Sequence, residues 1–209
     1  MKIVIVDDHE LVREGLKKVL LKESGIQLVG EASNASELFK LLEETEVDLV
    51  VLDITMPGRS GLDIIGELKS LHHRIRILIL SMHPEERFAL RALKAGASGY
   101  LSKEAAAREL VAAIRKIMNG GRYISPALAD HLVSNLDKEH DKLPHETLSN
   151  REFEIFRLIA RGKSVGQIAE ELFLSVNTVT SYRSRMMEKM NFGSNAEIIR
   201  YAIEHNLIE

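Results

Sequence analysis

The chain has 209 residues, 45% of them hydrophobic, which suits two small domains with ordinary cores. With 28 Lys and Arg against 31 Asp and Glu, the formal net charge of −3 excludes a globally basic nucleic-acid binder, so any DNA contact must come from a local surface. No cysteine is present, which excludes disulfides, thiolate zinc sites and cysteine nucleophiles together and fits a reducing cytoplasm.

Met1-Lys2 leads directly into Ile3-Val4-Ile5-Val6, a buried-strand run too short for a signal-peptide core, which ends in Asp7-Asp8-His9-Glu10. Helical spacing of Leu11, Val12, Leu16, Val19 and Leu20 predicts a helix from about Leu11 to Leu21, closed near Ser24-Gly25. A weaker strand, Gln27 to Ala32, precedes a helix over Ala35 to Glu44. The third strand, Val47 to Asp53, is rich in β-branched residues and stops at a carboxylate followed by Pro57-Gly58 turn chemistry. Gly61 to Leu71 then reads as helix, Ile75 to Leu80 as strand, Pro84 to Ala95 as helix, Gly99 to Leu101 as a short strand and Ala105 to Met118 as a last helix. No run in the chain is long enough to span a bilayer, so no membrane partner is expected.

Five βα repeats call for a parallel, doubly wound α/β sheet with helices on both faces. Ligands bind at the carboxyl ends of such strands, and those ends carry Asp7, Asp8, Asp53, Ser81 and Lys103. Three carboxylates at one sheet edge repel one another, and a bound hard cation such as Mg²⁺ relieves that repulsion. Lys103 and the Ser81 hydroxyl are suited to the oxygens of a phosphoryl group. Each of these residues alone has a plain alternative: Asp53 as a turn cap, Ser81 as a turn residue, Lys103 as a surface lysine.

Together they resemble the receiver domain of bacterial two-component response regulators, a flavodoxin-like five-stranded fold, over about residues 1–118. The resemblance implies that Asp53 is the phosphoacceptor and that Mg²⁺ is held by Asp7, Asp8, Asp53 and the backbone carbonyl of Thr55. It further implies that Lys103 pairs with the phosphoryl group, that Ser81 moves toward it and that Tyr100 rotates inward. Thr55 and His83 each follow a site residue by two positions, where they can meet the water that hydrolyses an acyl phosphate; two plain loop residues would read the same.

Residues 119–147 read as a linker: Asn119-Gly120-Gly121 breaks the last helix, Ser125-Pro126 starts a short one to about Asn135, and Asp137 to Thr147 is charged and nearly free of apolar residues. Its three histidines near residues 131 to 145 lie in irregular mixed-charge sequence, which favours a solvated tether over a metal site. From Leu148 to Glu209 the pattern is wholly helical. Ser149 with Glu152 forms a capping-box start to a helix ending at Gly162, and further helices run from Ser164 to Leu172, from Ser175 to Met190 and from Ser194 to about His205. Two short helices joined at Phe173-Leu174-Ser175, inside an all-α four-helix unit, meet the requirement for a helix-turn-helix.

Residues 148–209 resemble the NarL/FixJ (LuxR-type) DNA-binding domain through Leu148-Ser149-x-Arg151-Glu152, Ile159-Ala160-x-Gly162, Ile168-Ala169-x-x-Leu172, Ser175-Val176-x-Thr178-Val179 and Glu188-Lys189. Many members carry lysine where Thr180 stands and histidine where Tyr182 stands. At 100° per residue Val179, Met186 and Met190 fall on the buried side, with Tyr182 and Arg183 at its edges. Arg183, Arg185 and Lys189 are the candidate phosphate or guanine contacts, and Asn177, Thr178, Thr180, Ser181 and Ser184 the candidate hydrogen-bonding residues. For Arg183 the intramolecular alternative is an ion pair with Glu154 or a similar acid. Eight basic and eight acidic side chains balance across this region, so affinity per domain is modest and paired domains on two half-sites are expected.

The resemblance of both halves implies a cytoplasmic transcription factor that is no enzyme beyond phosphoryl transfer and autodephosphorylation at Asp53. Its implied partners are a cognate sensor histidine kinase, a double-stranded DNA operator, a second copy of the chain when phosphorylated, and RNA polymerase. Two other classes stay open on the residues. A haloacid-dehalogenase-like phosphatase shares the Asp, Lys, hydroxyl and Mg²⁺ set but wants a second Asp where Thr55 stands. An interaction protein without specific DNA binding is allowed by the missing lysine at Thr180.

Overall fold

The computed structural model describes residues 1–82, 85–126, 128–130, 143–205, 207 and 208, with backbone alone at 85–87. They form two compact units, Met1–Asp137 and Lys138–Glu209. The expectations at His83 and Pro84, and most of the predicted short helix and charged tether, fall outside the described residues; Pro126 and 128–130 are helical.

The first unit alternates β1 (Lys2–Val6), α1 (Glu10–Leu20), β2 (Gln27–Ala32), α2 (Ala35–Glu44), β3 (Leu49–Asp53), α3 (Gly61–Leu71), β4 (Arg76–Ser81), α4 (Glu85–Ala95), β5 (Gly99–Ser102) and α5 (Lys103–Met118). All strand pairs are parallel, in the order β2-β1-β3-β4-β5. This is the doubly wound α/β sheet expected from the βα alternation. Every residue of β3 is buried, as its continuous apolar run requires of a central strand. On one face Ile3, Ile5, Leu49, Val51, Leu78, Leu80 and Leu101 pack with Leu16 and Leu20 of α1 and with Leu110, Ala113, Ile114 and Ile117 of α5. The alternate strand residues Val4, Val50, Leu52, Ile77 and Ile79 are equally buried and, by the two-residue period, turn to the other face.

Several boundaries differ from the sequence expectation by one or two residues, among them β3, which starts at Leu49 rather than Val47, and β5, which runs on to Ser102. α5 starts at Lys103 rather than Ala105, because the Ser102 hydroxyl accepts the Ala105 N–H and caps the helix there. β4 reaches Ser81, which pairs in register with Ser102. The residues after α5 also do more than leave the domain. Tyr123 bridges to Gly99, with Tyr100 N–H donating to the Tyr123 carbonyl at 2.9 Å and the Tyr123 hydroxyl to Glu109 at 2.5 Å.

In the second unit a 3₁₀ turn (Pro144–Thr147) precedes α6 (Asn150–Ala160), α7 (Val165–Glu171), α8 (Val176–Met190) and α9 (Asn195–Glu204). The Ser149–Glu152 capping box forms as expected, and Ser164–Gln167 and Ser194–Glu197 form two more. The turn between α7 and α8 passes through Phe173 at φ 53, a left-handed conformation that sharpens the chain reversal. Phe153, Phe156, Ile168, Val179, Met186, Met190, Ile198 and Ala202 make the core. The expected tether ends in structure: His145 Nδ1 lies 2.9 Å from the Tyr201 hydroxyl and its ring stacks 6.0 Å from Phe153. Apolar and aromatic neighbours distant in sequence overrode the local charge there.

Candidate acidic site and helix-turn-helix surface

Register brings the acids together. Val6 pairs with Leu52 and Asp53 with Leu80, while Ser81 pairs with Ser102, so Asp7, Asp53, Ser81 and Lys103 all leave the same edge of the sheet. Sheet order reverses between β1 and β3, and Asp7 and Asp53 flank that switch point. Both are almost inaccessible, at 1% and 3% exposed, whereas Asp8 is partly exposed.

Lys103 joins them. Its ammonium lies 2.8 Å from Asp53 Oδ2 and 2.7 Å from Asp7 Oδ2. Burial pushes the Asp53 carboxyl up to about 6; Lys103 opposes that shift, Asp7 adds to it, and the Thr55 N–H donates a hydrogen bond that opposes it. Burial works against the Lys103 charge, but Asp53 and Asp7 outweigh it and hold its pKa above the usual lysine value. Two buried carboxylates sharing one ammonium leave net negative charge in a low-dielectric pocket, a setting that favours cation binding.

Three further residues shape the pocket. Gly61 carries the start of α3 against the end of β3: a Cβ there would stand 1.9 Å from the Asp53 carbonyl oxygen. The same loop is tied back by Gly61 N–H to the Ile54 carbonyl at 2.9 Å and by the Ser60 hydroxyl to that oxygen at 3.0 Å. Arg13 of α1 donates to the Asp7 carbonyl at 2.7 Å. His9 presents Nδ1 to Asp8 Oδ1 at 2.8 Å and to Asp7 Oδ1 at 3.3 Å. Sequence reasoning gave Arg13 and His9 no role and took Gly61 only as a helix start and part of the receiver resemblance; adjacency to the acid pair was the available signal for His9.

The donor set fits a hard divalent cation. Asp7, Asp8 and Asp53 offer carboxylate oxygens, and with His9 they place one ligand atom each within 4.8 Å of one another. Tyr100 is fully buried here, so the side chain expected to rotate inward is already inside, and Ser81 is buried beside the strand ends.

On α8 the expected faces appear: Val179, Met186 and Met190 are buried, while Asn177, Thr180, Ser181, Ser184, Arg185, Glu188 and Lys189 are exposed. Several candidate contacts already have partners within the unit. Thr180 and Ser181 hydroxyls donate to the carbonyls of Val176 and Asn177, and the Thr178 hydroxyl meets that of Ser175 at 2.8 Å. Arg183 donates to Asn195 Oδ1 at 2.7 and 3.0 Å, not to Glu154, which pairs instead with Arg151. Lys189 pairs with Glu152 at 2.6 Å, and the Arg185 guanidinium lies 4.7 Å over the Tyr182 ring.

Residues 3–115 match the response regulator receiver domain, and residues 146–202 match the bacterial regulatory proteins of the luxR family. An acidic switch-point site on one unit and a helix-turn-helix on the other thus define a DNA-binding two-component response regulator. The chain belongs to the NarL/FixJ family of these regulators. It is 39% identical to the response regulator UvrY of Escherichia coli K12 over 208 residues, covering 99% of this chain and 95% of that protein. It is 37% identical to the response regulator GacA of Pseudomonas aeruginosa over 211 residues, covering 100% and 98%. A structure of the Salmonella typhimurium RcsB response regulator, concerned with conformational dynamism for DNA interaction, matches at 25% identity with a TM-score of 0.69 over 96% of each chain. Among the described residues no helix is long and apolar enough to cross a membrane.

Proposed function

We propose that Asp53 accepts a phosphoryl group from a sensor histidine kinase in a Mg²⁺-dependent step and that this controls operator binding. One observation carries the reading: a buried carboxylate at the end of β3, 2.8 Å from the Lys103 ammonium and beside a second buried carboxylate. An Asp53 oxygen attacks phosphorus in line, forming the O–P bond as the P–N bond of a phosphohistidine breaks and the imidazole nitrogen takes the electron pair. Asp7, Asp8, Asp53 and the Thr55 carbonyl hold the cation, which neutralises charge on the phosphoryl oxygens when bound. Lys103 moves its hydrogen bond from Asp53 to those oxygens, and Ser81 and Tyr100 carry the change to the surface around β4 and β5.

In this reading residues 1–118 are the receiver, 119–147 the connection and 148–209 the DNA-binding domain. Phosphorylation promotes a homodimer whose two helix-turn-helix units meet two half-sites. Arg185, Arg183 and Lys189 serve phosphates or guanines, and Asn177, Thr178, Thr180, Ser181 and Ser184 meet bases. The chain acts in the cytoplasm, with RNA polymerase as a downstream partner. Its only catalysis is phosphoryl transfer to, and loss from, its own Asp53. The test is intact-mass analysis of the full chain with acetyl phosphate and Mg²⁺, followed by sedimentation and promoter-fragment binding. One phosphoryl group on the wild type and none on Asp53→Asn is expected; a stable phosphoryl group on that variant overturns the assignment.

A further inference from the structure

The turn of the helix-turn-helix presents apolar groups that the fold does not use. Phe173 is 69% exposed, and Val176, the first residue of α8, is 53% exposed. Phe173 also holds φ 53, a left-handed conformation that glycine or asparagine adopts at less cost than an aromatic residue. Neither burial nor backbone preference therefore accounts for a phenylalanine at this position. Strained residues of this kind cluster where a protein meets its ligand.

Thr180 lies one turn beyond Val176 on the same side of α8 and is exposed as well. Its hydroxyl donates to the Val176 carbonyl at 2.8 Å, so the oxygen is turned back onto the helix and the Cγ2 methyl faces outward beside the Val176 methyls. The Thr178 and Ser181 hydroxyls are likewise engaged, with the Ser175 hydroxyl at 2.8 Å and the Asn177 carbonyl at 2.9 Å. The leading part of α8 thus offers carbon where its threonine and serine hydroxyls are already satisfied. The N-terminal end of a recognition helix is the part that meets base edges in the major groove. The apolar group that a base pair shows there is the C5-methyl of thymine, which apolar side chains and the threonine methyl contact.

We propose that Phe173, Val176 and the Thr180 methyl form a thymine-reading patch: each operator half-site carries a thymine whose C5-methyl seats between Val176 and Thr180, with Phe173 closing the side toward the turn. Base selection then comes from methyl burial as well as from hydrogen bonds. The inference rests on the reading of the second unit as DNA-binding and goes beyond it by naming the base selected; the experiment keeps the two apart.

The full chain, incubated with acetyl phosphate and Mg²⁺, selects duplexes from a random-sequence library. The most enriched duplex is remade with each thymine in turn replaced by deoxyuridine, which removes the C5-methyl alone. Fluorescence anisotropy compares wild type, Val176→Ala, Thr180→Ser, Thr180→Val and Phe173→Asn, with circular dichroism melts to establish that each variant folds. Expected is a half-site thymine whose replacement weakens wild type by about fourfold, the factor for one buried methyl. Val176→Ala, and Thr180→Ser, which keeps the hydroxyl and loses the methyl, should weaken binding to the thymine duplex by a similar factor and lose most of the discrimination against deoxyuridine. Thr180→Val should retain that discrimination. Phe173→Asn, suited to the left-handed backbone, should fold at least as well as wild type yet bind the thymine duplex more weakly. Discrimination left intact in Val176→Ala and Thr180→Ser, or a selected site in which no thymine methyl matters, overturns the patch while DNA binding stands. If wild type enriches no duplex over the starting library at low salt, the DNA-binding reading itself falls, and the patch with it.

Discussion

Gly61 and Gly66 both lie in α3, and the same substitution should act on them in opposite directions. A Cβ at Gly61 would meet the Asp53 carbonyl oxygen at 1.9 Å, the Asp53 carbonyl carbon at 2.9 Å and Ile54 Cα at 3.2 Å, all of them backbone. Restoring van der Waals separation requires the first turn of α3 to withdraw by roughly 1.5 Å. That motion breaks the Gly61 N–H bond to the Ile54 carbonyl, now 2.9 Å. Overpacking costs about 1–3 kcal/mol and the lost hydrogen bond about 1 kcal/mol, so Gly61→Ala should destabilise the first unit by about 2–4 kcal/mol. The melting temperature should fall by on the order of 10 °C. At Gly66 a Cβ meets nothing within 4 Å, and alanine should add about 0.5–1 kcal/mol through helix propensity and a restricted unfolded chain. Hydrogen-exchange mass spectrometry of the β3 peptide in rising urea reads both variants against wild type. A Gly61→Ala protein as stable as wild type, or a Gly66→Ala protein damaged as badly as Gly61→Ala, would refute the packing argument.

Asp53, held near 6 by burial, binds its proton more tightly when folded than at the unfolded value of about 3.9. Its contribution is therefore complete below about pH 4 and lost as pH rises through about 6, so with a chelator present the first unit should weaken from pH 5 to 7.5 and Asp53→Asn should flatten that slope; equal slopes would contradict it. Glu152 is pushed up by burial but more strongly held down by Lys189 and by the N–H and hydroxyl of Ser149, leaving its carboxyl below the usual range. Glu152→Gln keeps a capping acceptor and loses the charge, so it should cost about 1 kcal/mol in urea melts at pH 7. That deficit should shrink as pH falls from about 4.3 through the lower folded value, and a deficit undiminished at pH 3 would show that charge is not its source. Arg185→Ala should lower the slope of log affinity against log salt by about one. Lys189→Ala, whose cation already faces Glu152 at 2.6 Å, should lower it less; anisotropy of a labelled promoter fragment in graded KCl would reveal the reverse order.

Local pattern was enough to mark Asp7, Asp8 and Asp53 as a set. Each ends an apolar run whose length and branching specify a buried strand, and parallel strands align their carboxyl ends whatever their neighbours do. The buried face of α8, with Val179, Met186 and Met190, followed equally from the 100° period. What sequence could not supply was contact between residues far apart in the chain. Lys103 reaches Asp53 across 50 positions, and Lys189 reaches Glu152 across 37; both depend on how whole elements pack. His145 sits in sequence that reads as a tether, and only the Tyr201 hydroxyl and Phe153 ring, brought near by the folding of α6 and α9, fold it onto the second unit. Gly61 and His9 were legible as letters beside a turn and an acid pair, but their importance lies in separations of 1.9 Å and 2.8 Å. Periodicity says which way a side chain turns within its own element; what it meets is decided when the elements close on one another.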